Sequence, residues 1–227
     1  MANSIAACIF DLDGVIVDTA KFHFLAWRRL ANELGFDFTE AQNEKLKGVS
    51  RIQSLELILQ WGGISLDEPA KVALAEQKND WYRDYILQME PGDILEGVED
   101  FLAEIRSQGV KIGLGSASKN AETILQRVGI TNVFEVVIDG NRHTKSKPDP
   151  EVFLTAAAAL GVVPEHAIVF EDAEKGVEAA LNGGFYAVGV GSPEVLGHAH
   201  YVIPGFAGLH FETLLDRIGA HAVMMNT

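Results

Sequence analysis

Apolar residues fall into two patterns along this chain. Short unbroken runs at 5–10, 110–114, 134–138, 167–170 and 186–190 have the near-continuous apolar character of strands buried on both faces. Helical spacing separates most of them. Val98, Phe101, Leu102 and Ile105 form one apolar stripe, which stops at Gly109. Residues 122–128 end in the same way at Gly129. Asp149 and Pro150 open a helix that runs to Leu160, and Gly161 follows it. Residues 174–181 end at Asn182-Gly183-Gly184. Strands alternating with helices predict an α/β fold with a Rossmann-like parallel sheet and right-handed crossovers.

One region breaks the alternation. Between Asp18 and Glu90 the pattern is helical, with no convincing strand. Phe22, Leu25, Ala26, Arg29, Leu30 and Leu34 keep helical spacing up to Gly35. Residues 54–61 form a second helix, stopped by Gly62-Gly63. Residues 70–89 form a third, with Pro91-Gly92 after it. The expected organisation is a helical cap domain at 16–90, inserted after the first strand. The α/β core is then built from 1–15 and 91–227. An insert at that point stands at the carboxyl edge of the sheet, where open α/β sheets bind ligands.

Composition narrows the function. The 227 residues are enough for a sizeable core. A formal charge of −14 argues against a nucleic-acid partner, because phosphate backbones are bound by clustered Lys and Arg. The single Cys8 lies within an apolar run and reads as a small buried hydrophobe. No basic segment precedes an apolar one at the start, and no apolar run approaches a membrane span. The expectation is a cytoplasmic monomer without membrane or nucleic-acid partners, acting on a small molecule.

The chemistry concentrates at strand ends. Asp11 and Asp13 follow the first run, and Glu171 and Asp172 follow the run at 167–170. Either pair alone could be a turn or a helix cap. Two strands of one parallel sheet would bring all four acids to one edge, where uncompensated anions are costly. Mg²⁺ relieves that cost, being a hard cation that binds a few carboxylates together with substrate phosphate. "GLGSASKN" follows another strand and offers Ser116, Ser118, Lys119, Asn120 and the backbone at Ala117 as an anion site, or simply an N-cap. Of Lys145 and Lys147, the second stands in the more rigid context beside Pro148.

In order and spacing, "FDLDGVIVDT", "GSAS", "SKPDP" and "VFEDA" resemble the haloacid-dehalogenase-like phosphotransferase superfamily over nearly the whole chain. The resemblance implies Asp11 as nucleophile forming an aspartyl-phosphate. It implies Asp13 as general acid/base, its backbone carbonyl also holding Mg²⁺. Ser116 and Lys147 would hold the transferring phosphate, and Glu171 and Asp172 would complete the metal site. The insert, with "DTAKFHFLAWRRL", "KLKGVSRIQSLELIL" and "EQKNDWY", is similar to the caps of that superfamily's sugar-phosphate mutases. By that likeness the loop with Gly48, Val49, Ser50 and Arg51 reads the sugar phosphate. Arg51 clamps the phosphate that is not transferred, together with Ser118, Lys119 and Asn120. His23, Trp27 and Lys78 line the closed interface, and Thr19 sits at a hinge. Trp27 also reads as cap core, and His23 and Lys78 as helix surface. Ile52 and Gln53 stand where such mutases often carry acids, and Ala173 stands where a serine is common.

The implied activity is interconversion of β-glucose 1-phosphate and glucose 6-phosphate through a β-glucose 1,6-bisphosphate intermediate. A Mg²⁺-dependent phosphatase of small sugar phosphates is the near alternative, and a non-catalytic sugar-phosphate-binding regulator a more distant one.

Overall fold

The computed structural model describes residues 5–46 and 49–225, with side chains through Gly219. Its centre is a six-stranded parallel sheet in the order β3-β2-β1-β4-β5-β6. The strands are β1 (Ala7–Phe10), β2 (Lys111–Gly115), β3 (Val136–Ile138), β4 (Ala167–Glu171), β5 (Tyr186–Val190) and β6 (Tyr201–Ile203). From β1 the chain builds outward through β2 to β3, then returns to place β4 on the other side of β1. The strand order therefore reverses at β1 and β4, which pair in parallel with Phe10 opposite Phe170.

Side-chain alternation explains why both faces are covered. Cys8, Phe10, Ile168, Phe170 and Val188 point to one face. There they meet α5 (Val98–Ser107), α6 (Ala121–Arg127) and α10 (Phe211–Met225), through Phe101, Ile105, Leu125 and Leu214. Ala7, Ile9, Val169 and Ala187 point to the other face, against Phe153 and Ala157 of α7 (Glu151–Leu160) and Val177 and Ala180 of α8 (Glu174–Asn182). A short α9 (Pro193–Leu196) closes the edge near β6. The stop after α7 is built as its sequence suggests, with Gly161 left-handed at φ 67°.

Between β1 and α5 lie α1 (Ala20–Glu33), α2 (Glu40–Glu44), α3 (Arg51–Trp61) and α4 (Glu68–Ile86). They enclose a separate apolar cluster of Trp27, Leu30, Phe38, Leu55, Ile58, Leu59 and Ala75. The far end of α4 leaves that cluster. Tyr82 and Ile86, followed by Met89, join the core under the sheet. Chain exit and return run side by side: Leu95 N–H donates to Ile16 O at 3.0 Å, and Val17 bridges Ile94. Among the described residues no helix is long and apolar enough to cross a membrane.

Candidate active site

Two strand ends meet at the point of reversal. Asp11 directly follows β1, and its N–H donates to Phe170 O at 2.9 Å. Glu171 is the last residue of β4, so the pairing sets both carboxylates at one edge, with Asp172 beside them. Ligand oxygens of Asp11, Glu171 and Asp172 lie within 4.8 Å of one another. Two glycines permit this approach. A Cβ on Gly14, whose φ is +76°, would fall 2.2 Å from Asp172 Oδ2. One on Gly176, in the first turn of α8, would fall 2.0 Å from the Glu171 carboxyl carbon.

Lys147 supplies the counter-charge. Its Nζ donates to Asp11 Oδ1 and to Glu171 Oε2, each at 2.6 Å, and it packs 4.7 Å from the centre of the Phe153 ring. Burial opposes its charge, but the two carboxylates outweigh burial and hold its pKa above the ordinary lysine value. Burial also raises Glu171 to about 8, with Lys147 opposing and Asp11 and Asp172 adding to the shift. The causes differ, two carboxylates for Lys147 and burial first for Glu171, but in both cases three clustered carboxylates stand against one ammonium. That surplus of hard, anionic oxygen fits a divalent cation such as Mg²⁺. Lys145, by contrast, lies on the surface and pairs with Asp149 at 3.2 Å.

Asp13 is near this cluster but its carboxylate turns elsewhere, so three of the four acids converge. Its expected share in a metal site is its backbone carbonyl alone. Its N–H donates to Asp11 Oδ2 at 3.1 Å, which orients Asp11. Its Oδ1 accepts from the hydroxyl of Thr19. Thr19 is the N-cap of α1, yet its hydroxyl makes no cap bond and serves Asp13 instead. Burial, followed by the charge of Asp11, raises the Asp13 pKa to about 6. One carboxylate is thus clamped by an ammonium and the other set up to hold a proton near neutrality.

The loop expected to hold phosphate follows β2. Ser116 is buried, with its Oγ accepting from Ser118 N–H at 3.0 Å, and Ser118 Oγ accepts from Asn120 N–H at 3.2 Å. Ala117 and Lys119 are exposed. Asn120 Nδ2 reaches the cap, donating to Asn79 Oδ1 at 3.3 Å.

The cap faces this edge with cations. Lys78 is only 2% exposed. Its Nζ lies 3.0 Å from His23 Nδ1, 4.4 Å from the centre of the Trp27 ring and 4.8 Å from that of Tyr82. Burial, with Arg51 nearby, pulls the Lys78 pKa well down, while Asp13 pulls it up. His23 is lowered for the same reasons, burial first and then Lys78 and Arg51, so its imidazole is neutral and accepts from Lys78. Trp27 proves to be both cap core and a wall of the lysine site. Arg51 opens α3, half-buried, with Val49 and Ser50 before it. Ser50 is the N-cap of α3, but its side chain makes no cap bond. Gly48, expected in this loop, lies outside the described residues, as does Lys47. The sequence reading passed over Asn79 and Tyr82. The spacing of Tyr82, four residues after Lys78, was the available signal, because such pairs share a helix face.

The haloacid dehalogenase-like hydrolase family model matches residues 5–184. The chain is 42% identical to a β-phosphoglucomutase of Bacillus subtilis over 210 residues, covering 92% of this chain and 93% of that one. It is 33% identical to a phosphorylated carbohydrates phosphatase of Thermotoga maritima, covering 78% and 81%. Among solved structures, a β-phosphoglucomutase from Clostridium difficile superposes with a TM-score of 0.90 at 42% identity, covering 96% and 99%.

Proposed function

Since the chain belongs to the haloacid dehalogenase-like hydrolase family, we propose that it is a sugar-phosphate mutase interconverting β-glucose 1-phosphate and glucose 6-phosphate. The supporting observation is a two-sided site. An aspartate pair at the sheet edge is faced by a cap surface carrying Lys78, whose charge acts on Asp13, and Arg51, whose charge acts on Lys78. A second cationic face suits a substrate with a second phosphate. The similarity to β-phosphoglucomutases over almost the whole chain supports the same reading.

The reaction starts from enzyme phosphorylated on Asp11. The C6 hydroxyl of β-glucose 1-phosphate gives its proton to the Asp13 carboxylate and attacks phosphorus. The new P–O bond forms as the bond to the Asp11 oxygen breaks, and β-glucose 1,6-bisphosphate results. The intermediate turns end for end. Asp11 then attacks the C1 phosphate, Asp13 returns its proton to the leaving C1 oxygen, and glucose 6-phosphate departs. Proton transfer of this kind contributes about 10²–10⁴-fold. Ser116, the neighbouring backbone N–H groups and Lys147 hold the transferring phosphoryl group, while Arg51, Ser118, Lys119 and Asn120 grip the other phosphate. Mg²⁺ held by Asp11, Glu171, Asp172 and the Asp13 carbonyl would neutralise phosphoryl charge. A closed cap keeps water from the aspartyl-phosphate.

The phosphatase reading has one specific support, the similarity to a carbohydrate phosphatase. A coupled assay with β-glucose 1-phosphate, Mg²⁺ and a trace of bisphosphate separates the two. Glucose 6-phosphate without matching free phosphate is the expected result. Stoichiometric free phosphate would establish the phosphatase, and binding without turnover the regulator.

A further inference from the structure

Tyr82 is a polar residue of the site that the mechanism above does not use. It lies on α4 and is 1% exposed. Its ring is fixed by the His23 ring stacked on it, with centroids 4.2 Å apart and planes at 29°. The Lys78 ammonium lies 4.8 Å from its centre. Its hydroxyl has no hydrogen-bond partner among the described residues. Buried polar atoms rarely lack partners, so each such atom calls for an explanation. Asp13, Thr19, Ser118 and Arg51 surround this hydroxyl, none of them in hydrogen-bonding geometry with it, so it faces the junction of cap and core. Thr19 already donates to one oxygen of Asp13, and a carboxylate accepts several donors.

We propose that Tyr82 is a positioning residue for Asp13: when the cap closes on a sugar phosphate, its phenol hydroxyl donates to the Asp13 carboxylate. Thr19 and Tyr82 then hold Asp13 from two helices of the insert, α1 and α4. The orientation of the acid/base follows the position of the cap, so proton transfer is efficient only when sugar has replaced water. Lys78 and His23 brace the Tyr82 ring from behind.

The inference rests on the mutase reading. Wild-type protein that turns over no sugar phosphate defeats that reading. A fully active wild type with an undiminished Tyr82→Phe variant defeats this inference alone. Tyr82→Phe keeps the ring and its stacking and removes only the hydroxyl. The expected kcat on β-glucose 1-phosphate falls about ten-fold or more, with KM within about two-fold. Single-turnover phosphorylation of Asp11 by acetyl phosphate, whose acetate leaves without a proton, stays within about two-fold. Unchanged kcat, a raised KM with kcat retained, or an equal loss with acetyl phosphate overturns the proposal. A second readout needs no variant at position 82. In wild-type protein carrying carbon-labelled tyrosine, the Tyr82 Cζ resonance shifts when a non-reactive bisphosphonate of the sugar binds, and does not shift in Asp13→Ala. A resonance that stays still, or shifts equally in Asp13→Ala, also overturns it.

Discussion

Asp11 and Asp13 are two residues apart, and their neighbours suit them to the opposite tasks proposed for them. Lys147 and the Asp13 N–H hold the Asp11 carboxyl group in a fixed orientation. Burial, the charge of Asp11 and a hydroxyl partner leave Asp13 with a pKa of about 6, suited to exchanging a proton. Asp11→Asn should abolish phosphoenzyme, because an amide is a poor nucleophile. Acid-quenched protein labelled from a phosphate donor measures this, and surviving label on the variant would reject the assignment. His23 leads to a stability prediction. Its folded pKa lies well below the ordinary histidine value, chiefly through burial, while imidazoles of the unfolded chain titrate at about 6.5. The unfolded state therefore binds more protons in acid, and the stability owed to neutral His23 is lost as pH falls below about 6.5. Calorimetry between about pH 7 and pH 5 should show a steeper fall in Tm for wild type than for His23→Gln. Parallel slopes would count against a neutral, buried His23. The acidic residues at strand ends were legible from spacing alone, because strand direction fixes which edge they share. The turn of Asp13 toward Thr19 was not, since it depends on a cap hydroxyl that could as easily have served the backbone of α1.

At the level of elements, the turn after β1 and the start of α8 do the positioning, and each needs a glycine. Gly176→Ala drives a methyl into the Glu171 carboxyl group. Mg²⁺ titration by calorimetry should show affinity lowered by about ten-fold or more, the order expected when support of a ligand is disturbed. Wild-type affinity in the variant would mean that Glu171 is not held for a metal. Arg51 begins α3 and tests the cap in the same way. Arg51→Ala should reduce kcat/KM for β-glucose 1-phosphate by about 10²-fold, the loss of a charge-assisted phosphate contact. Phosphorylation by acetyl phosphate, which has no second phosphate, should change little, and equal losses would remove the clamp. Most elements were readable as patterns, within a few residues at their ends. β3 is the three-residue Val136–Ile138, not the 134–138 run, and β4 extends through Glu171. β6 was missed because Tyr201–Ile203 is too short to show a period. α2 was missed for a different reason: four of its five residues are polar, and its evidence is the capping box of Thr39 and Gln42.

For the whole molecule, a net charge of −14 is compatible with the proposed anionic substrate because the cations are local. Lys147 rises from the core, and Lys78 and Arg51 descend from the helices that β1 leads into. Their meeting place was legible in outline, since an insert after β1 must stand over the sheet edge. Tyr82 was legible only as a helix-face neighbour of Lys78, because its bulk reads as packing and only its surroundings reveal a hydroxyl without a partner among the described residues. The central claim is that phosphate on Asp11 passes to sugar and not to water. The most direct measurement is a chase: enzyme carrying radiolabelled phosphate on Asp11 is mixed with excess β-glucose 1-phosphate and Mg²⁺ and quenched within one turnover. The account predicts label on sugar bisphosphate and glucose 6-phosphate, with little free phosphate. Label released as free phosphate at the same rate with and without the sugar would contradict it.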